Sequence, residues 1–366
     1  MELQGQKKPE INLTNSSKPK SFKRSFNLKQ LASVFLVTIA AMAIFSMLSS
    51  SITNESEDKQ FKQEFADNYK VFSFPLPENL DFANEKVPLH LFDIHEKMDR
   101  ELLVNTYWQS QTLLFIKRAN RYFPLIEEIL KREGVPQDFK YLALIESGFT
   151  HVVSPAGATG FWQIMKTTGI EYGLEINAEV DERYNIEKST LVACKYLKQA
   201  YRKFGNWTMA AASYNMGIAG LEKQVKRQNS NNYYNLLLNE ETSRYLFRIL
   251  AIKEILQKPE NYGFTYRNKD LYTPIEFYEI EVAEPINDLA QFAENKSINY
   301  KLLKILNPWL RDNKLTNKDL KTYSIKMPKG KFARIEANVG KINIEEINME
   351  SLDTVKSERI NDAPRD

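Results

Sequence analysis

Residues 134–149 read GVPQDFKYLALIESGF, and this stretch decides the fold. Pro136 suits a first helical turn, where its missing N–H costs nothing, and Gly148 is placed to end the helix in a left-handed cap. Between them Tyr141, Leu142, Ala143, Leu144 and Ile145 form an unbroken apolar run. A helix apolar nearly all round belongs in a core. Glu146 follows at once, on the face shared by Phe139, Leu142 and Ala143 at spacing i, i+3, i+4, i+7. Burial disfavours the charged form of a carboxyl, and the negative end of the helix dipole acts in the same direction. A carboxylic acid kept protonated near neutral pH is what a general acid requires. The alternative is a structural ion pair between Glu146 and a core Arg or Lys.

Outward from this helix, residues 154–165 read SPAGATGFWQIM, residues 213–217 read SYNMG and residues 241–245 read ETSRY. The ordered set resembles the lytic murein transglycosylases of the soluble (Slt) type, most closely their membrane-bound D group. The resemblance implies a goose-lysozyme-like helical catalytic domain that cuts peptidoglycan glycan strands. It implies Glu146 as the one catalytic carboxylate: it protonates the leaving oxygen, then deprotonates the C6 hydroxyl of the same muramic acid. Ring closure onto C1 then gives a 1,6-anhydro end and consumes no water, with assistance from the substrate's acetamido group. By the same resemblance Gln163 fills the amide position of the family's G-[LM]-[MW]-Q motif, with Phe161 in place of the commoner Leu or Met. Tyr214 and Asn215 match its Ala-Tyr-Asn motif, with Ser213 in place of Ala, and Tyr245 matches its late Tyr. Ser147, Gln163, Met165, Tyr214, Asn215 and Tyr245 are thus the candidate substrate-binding residues. Each has a plainer reading as a helix-end hydroxyl, a core methionine or a packing aromatic. Asp181 is the one rival carboxylate, and its neighbours Glu182 and Arg183 suggest ion pairing or capping instead. A hydrolytic muramidase and a catalytically silent wall-binding scaffold are the alternative functions.

Composition narrows the classes further. The 366 residues carry a net charge of +3, too little to argue for nucleic acid, and 43% hydrophobic content is enough for two folded units. Cys194 is the single cysteine, so no internal disulfide forms, and its place in a helical pattern suits a small buried side chain. It also lies too far from the N-terminal apolar run to serve as its lipid attachment point. His90, His95 and His151 are scattered, and no metal or cofactor is expected.

Residues 1–30 are polar and basic, and residues 31–48 then read LASVFLVTIAAMAIFSML without a charge. That run sits at the short end of a membrane span but exceeds the apolar core of a cleaved signal peptide. Its basic flank keeps the N-terminus in the cytoplasm. An inner-membrane anchor over 31–50 with the catalytic domain in the periplasm is therefore expected, and cleavage near residues 49–51 is the second choice. Residues 51–88 read as a linker ending in an extended Pro- and Phe-bearing segment.

Helical patterns fill 89–268, with helices expected at 96–118, 122–132, 188–204, 208–214, 220–227 and 241–257, giving an all-α domain. The texture changes at residue 272. A strand is expected at 275–282, helices at 286–295 and 300–306, and a second strand at 322–327. This βααβ order over 272–330 is similar to a LysM glycan-binding module, although Ala283-Glu284-Pro285 stands where the usual Gly-Asp-Thr/Ser start belongs. It suits a degenerate LysM-like unit, and truncation at about residue 270 is expected to leave a folded, active helical domain. Residues 331–366 form a charged tail. The fold class is mainly α: a lysozyme-like all-helical domain followed by a small α+β module.

Overall fold

The computed structural model describes residues 58–60, 62–64 and 72–333. The basic tail, the apolar run 31–48 and the charged tail from 334 lie outside the described residues. No helix among the described residues is long and apolar enough to cross a membrane. Residues 58–60 and 62–64, in the expected linker, are helical. Residues 73–333 belong to one compact unit.

The segment before the first long helix is extended, as expected, but it folds back as a minimal hairpin, β1 (Asp81–Phe82) against β2 (Glu85–Lys86). Ala83 and Asn84 turn it with positive φ, the twist that a two-residue hairpin needs. Phe82 is fully buried and meets Phe139 edge-on at 5.1 Å.

Eight helices build the domain: α1 (Phe92–Tyr107), α2 (Gln109–Glu133), α3 (Phe139–Ser147), α4 (Lys166–Glu171), α5 (Ile186–Phe204), α6 (Trp207–Met216), α7 (Ile218–Gln228) and α8 (Glu240–Gln257). The first break falls at Trp108, not near residue 120. Side chains replace backbone partners there: Asn105 Nδ2 donates to the Glu101 carbonyl at 2.7 Å, and Thr112 Oγ1 to the Asn105 carbonyl at 2.5 Å. Pro124 lies inside α2 without ending it. The carbonyl its missing N–H deprives belongs to Asn120, an exposed residue.

Small residues decide how closely the layers approach. Met209, Ala210, Ala211, Ala212 and Ser213 of α6 are all fully buried, between α5 and α8. Along α8, Tyr245, Leu246, Phe247, Ile249, Leu250, Ala251, Ile252 and Ile255 are buried, so this helix is apolar nearly all round and forms the axis of the core. Each fully buried large apolar side chain of this kind contributes about 1.5–3 kcal/mol.

The helix α3 begins later than the sequence suggests. Pro136 lies in the turn before it, its carbonyl accepting from Phe139 N at 3.2 Å. Gly134, with φ +68, ends α2, and the chain must reverse before the next helix starts. Asp138 occupies the N-cap position but does not cap. Its Oδ2 accepts instead from Ala83 N and from Lys253 Nζ, each at 2.8 Å, and so ties the hairpin and α8 to the start of α3. The C-terminus is as expected: Gly148 takes φ +58, and its N–H reaches the Leu144 carbonyl at 2.8 Å.

The C-terminal module pairs β3 (Phe277–Val282) with β4 (Tyr323–Pro328), antiparallel, with Ile280 opposite Ile325. Between them lie α9 (Leu289–Asn295) and α10 (Tyr300–Leu306), the expected βααβ order. Its core of Leu289, Ala293, Leu303, Ile325 and Met327 also takes in Val180 and Tyr184 from the helical domain. The two share a core, which tempers the expectation of a cleanly separable module.

Candidate active site

Glu146 closes the last turn of α3, three residues beyond the fully buried Ala143 and just before Ser147 and the Gly148 cap. It is half-buried, and its Oε1 accepts a hydrogen bond from the hydroxyl of Tyr245 on α8. Among the described residues no Lys or Arg makes an ion pair with it. The structural ion pair that the sequence left open is therefore absent. Burial raises the Glu146 pKa above the usual carboxylate range. The Tyr245 hydrogen bond and the charge of Arg248 pull it down in part, while Glu241 pushes it up. Burial, then the Glu146 charge, holds the hydroxyls of Tyr245 and Tyr214 well above their ordinary range, so both stay protonated donors.

Glu241, Tyr245 and Arg248 stand at i, i+4 and i+7 on α8, one face of one helix. Glu241 and Arg248 were not among the sequence candidates, although this spacing would have found them. Arg248 is half-buried and, among the described residues, has no hydrogen-bonding or ion-pair partner. Its neighbour Arg244 is spent on Glu101 and Glu240, at 2.7 and 3.0 Å. Arg118 of α2, also missed, donates to the Gly148 carbonyl at 3.0 Å. It supplies a cation at the negative end of α3.

The loop over residues 150–165 forms the opposite side. Gly157 and Gly160 both take positive φ, as does Gln163 at +46. The turn is closed by its own backbone, with Gly157 N donating to the Ser154 carbonyl, Ser154 N to the Ala158 carbonyl and Gly160 N to the Val152 carbonyl. Phe161, Trp162 and Ile164 are buried beneath it, and Trp162 Nε1 donates to Thr190 Oγ1 at 2.8 Å. Consecutive carbonyls then receive hydroxyls from either side of Glu146. Ser147 Oγ donates to the Phe161 carbonyl at 2.9 Å, and the Tyr214 hydroxyl to the Trp162 carbonyl at 2.8 Å.

Gln163 Nε2 donates to the carbonyls of Gly160 and Val152, at 2.9 and 3.1 Å, so both its N–H groups hold the loop. Asn215 Nδ2 donates to Glu241 Oε1 at 2.9 Å, and its Oδ1 accepts from Thr242 Oγ1 at 2.7 Å. Met165 precedes α4 and is 41% exposed. Asp181 belongs elsewhere. It accepts from Arg183 N and is gripped by the Arg183 guanidinium, at 2.7 Å to Nη2, as the ion-pair reading expects. Cys194 is a buried free thiol.

With this geometry in view, the likeness to known proteins is specific. Residues 123–237 match the family described as Transglycosylase SLT domain, and residues 278–331 the family described as Soluble lytic transglycosylase C-terminal LysM-like domain. The chain carries an SLT transglycosylase domain and a LysM-like module. Tyr245 and Arg248 fall beyond the matched SLT residues, yet α8 brings both to the carboxylate that the SLT domain supplies. Two relatives named membrane-bound lytic murein transglycosylase D, from Escherichia coli strains K12 and O6:H1, are each 28% identical over 228 residues. That alignment covers 61% of this chain and 49% of theirs, so the chain spans about half the length of the curated relatives it matches. Among solved structures, an inactive variant of the lytic transglycosylase Slt from Pseudomonas aeruginosa is similar at 22% identity. It covers 43% of this chain and 26% of its own, with a TM-score of 0.31.

Proposed function

We propose that the chain is a lytic transglycosylase that cleaves the β-1,4 bond between N-acetylmuramic acid and N-acetylglucosamine in peptidoglycan. The observation that carries the proposal is Glu146: a half-buried carboxyl with a raised pKa, no ion-pair partner among the described residues, and one oxygen held by Tyr245. With Oε1 accepting from Tyr245, the proton sits on Oε2 and is donated to the leaving glycosidic oxygen. The carboxylate left behind is stabilised by the Tyr245 hydrogen bond and the field of Arg248, the two influences that favour its charged form. It then takes the proton of the C6 hydroxyl of the same sugar, whose oxygen closes onto C1. One residue serves both steps because, once it has given its proton, it is the nearest base.

The hydrogen bonds sort the candidate binding residues into roles. Ser147 and Tyr214 have donated their hydroxyl protons to the loop, so they position it beside Glu146. Gln163 has spent both N–H groups and offers its carbonyl oxygen to an acetamido N–H of the glycan. Asn215 keeps one N–H for the sugar while Glu241 and Thr242 fix its plane. Met165 lines the groove floor.

Mass spectrometry of fragments released from purified sacculi tests the proposal. Anhydro products are expected about 18 mass units lighter than hydrolytic ones, because ring closure omits one water. Reducing-end muramic acid would make the enzyme a muramidase, and sacculus binding without release would make it a scaffold. We further propose that residues 31–48 anchor it in the inner membrane with the SLT domain in the periplasm. The basic flank of that run and the membrane-bound relatives support this reading. The protein is then expected to stay with membranes through high salt and to leave only with detergent.

Tyr245→Phe gives a second test. Losing a hydrogen bond to a charged group costs about 1.5–3 kcal/mol, so turnover is expected to fall roughly 10- to 100-fold. The lost bond is also one that lowers the Glu146 pKa. The pH at which activity fails on the alkaline side, where the acid loses its proton, is therefore expected to move up. A slower enzyme with an unmoved alkaline limb would leave Tyr245 a packing role only.

A further inference from the structure

The C-terminal module's entry at Tyr272 and Thr273 bonds to Lys117, Asn120 and Arg121 of α2; beyond that entry the module meets the helical domain at residues 175–187. Val180 and Leu310 form an antiparallel bridge, flanked by Asp181 N to the Trp309 carbonyl at 2.9 Å and Arg311 N to the Glu179 carbonyl at 2.7 Å. The Glu179 carboxylate accepts from both Thr316 N and Thr316 Oγ1, at 2.6 and 2.5 Å. Val180 and Tyr184 are buried in the module's core, and the Arg311 guanidinium lies 4.1 Å from the centre of the Tyr184 ring. Backbone pairing, charge-assisted bonds and a shared core together make a permanent joint rather than a tether.

The same segment grips the substrate loop from its other side. The buried Asp181–Arg183 pair is bidentate, with Nε to Oδ1 at 3.0 Å and Nη2 to Oδ2 at 2.7 Å. The remaining guanidinium nitrogen, Nη1, donates to the carbonyls of Gly157 and Ile164, at 3.0 and 3.2 Å. Those carbonyls mark the two ends of the loop that carries Gln163 and presents the Phe161 and Trp162 carbonyls to Ser147 and Tyr214. Arg183 is planar and always charged, and it holds three partners in fixed directions.

We propose that the LysM-like module is a brace for the catalytic groove. By fixing residues 179–181 it holds Arg183, and Arg183 holds the 157–164 loop against the helix that carries Glu146. Asp181 and Arg183 are then positioning residues that act through the loop. Glu179 and Thr316 are the module's grip on them. A brace contributes even when the glycan is too short to reach the module, whereas a free glycan-binding module contributes only on long strands. For its activity arm the inference rests on the transglycosylase reading above; its structural arm does not.

The test uses the full chain, as wild type, as Arg183→Lys and as the double variant Glu179→Ala/Thr316→Ala. Hydrogen exchange of the 157–164 amides is read alongside that of residues 309–316 and of α8. Local opening sets the protection of such a loop, so both variants are expected to exchange about tenfold faster there, with α8 unchanged. In the double variant residues 309–316 also exchange faster; in Arg183→Lys they do not. On short soluble glycan strands both variants are expected to lose about tenfold in kcat/KM, mostly through KM, because substrate-loop order and not proton transfer is lost. A loop that stays protected in Arg183→Lys, or beside a freed 309–316 segment, overturns the brace. So does loss of activity on sacculi alone. A chain with no lytic activity but a loosened loop keeps the brace and fails the transglycosylase reading instead.

Discussion

Glu146→Gln is expected to remove turnover, by about 10²–10⁴-fold or more, because general acid–base catalysis contributes that much and, in the mechanism we propose, one group serves both steps. The fold should survive. Gln is nearly isosteric, its Oε1 still accepts from the Tyr245 hydroxyl, and Phe139, Leu142 and Ala143 beneath it keep their packing. With no ion-pair partner among the described residues, the substitution strands no cation. Stability gives an independent check with a definite sign. A carboxyl whose folded-state pKa is raised binds its proton more tightly when folded, so its ionisation works against folding. The wild type therefore loses stability as pH rises from the ordinary carboxylate range, about 4.3, through the raised value, and the Gln variant does not. Thermal melts should show the variant gaining on the wild type as pH rises above about 4.3, with the gain growing until the raised Glu146 value is passed. Undiminished release of glycan fragments by the variant would remove Glu146 from the mechanism. A melting difference flat in pH would show that its pKa is not raised.

Much of this site was legible because it depends on local pattern. An apolar helix ending in Glu-Ser-Gly is a statement about one turn and its cap, and α3 ends there with Gly148 left-handed. The two strands of the module alternate, and the sequence placed them within two residues of β3 and β4. What stayed hidden depends on long-range partners. Pro136 reads as the first helical turn, but α3 starts at Phe139, and Asp138 before it gives its carboxylate to Lys253, 115 residues away. Gln163 is a local case: its backbone is left-handed and its side-chain N–H groups meet the loop's own carbonyls, a turn geometry that the motif does not announce. The joint between Glu179 and Thr316 spans 137 residues, and neither end carries a pattern that announces the other. Arg248 is an intermediate case. Its helical register with Tyr245 was readable, and only its lack of a partner needed the structure.

Of the loop's two glycines, Gly160 is the one packed against the Arg183 backbone. A Cβ on Gly160 would lie 2.2 Å from the Arg183 carbonyl oxygen and 3.0 Å from its carbon, and φ there is +78. Both atoms belong to the backbone, so no side chain can swing aside. Left-handed strain for a non-glycine residue costs about 1–2 kcal/mol and overpacking about 1–3 kcal/mol, so Gly160→Ala is expected to lose roughly 2–5 kcal/mol. Domains are stable by about 5–15 kcal/mol, so the loss is large but need not unfold the chain. Gly157→Ala separates the two causes. Gly157 has φ +85 but nothing within 4 Å of its absent Cβ, so only the strain of about 1–2 kcal/mol applies. Urea titration of the two variants should therefore show Gly160→Ala losing clearly more than Gly157→Ala. Its activity should fall as well, since relief of the clash moves Phe161 and Trp162 away from the hydroxyls of Ser147 and Tyr214. Equal losses at the two positions would mean that backbone strain alone sets the cost, and that the loop can retreat from Arg183 without consequence.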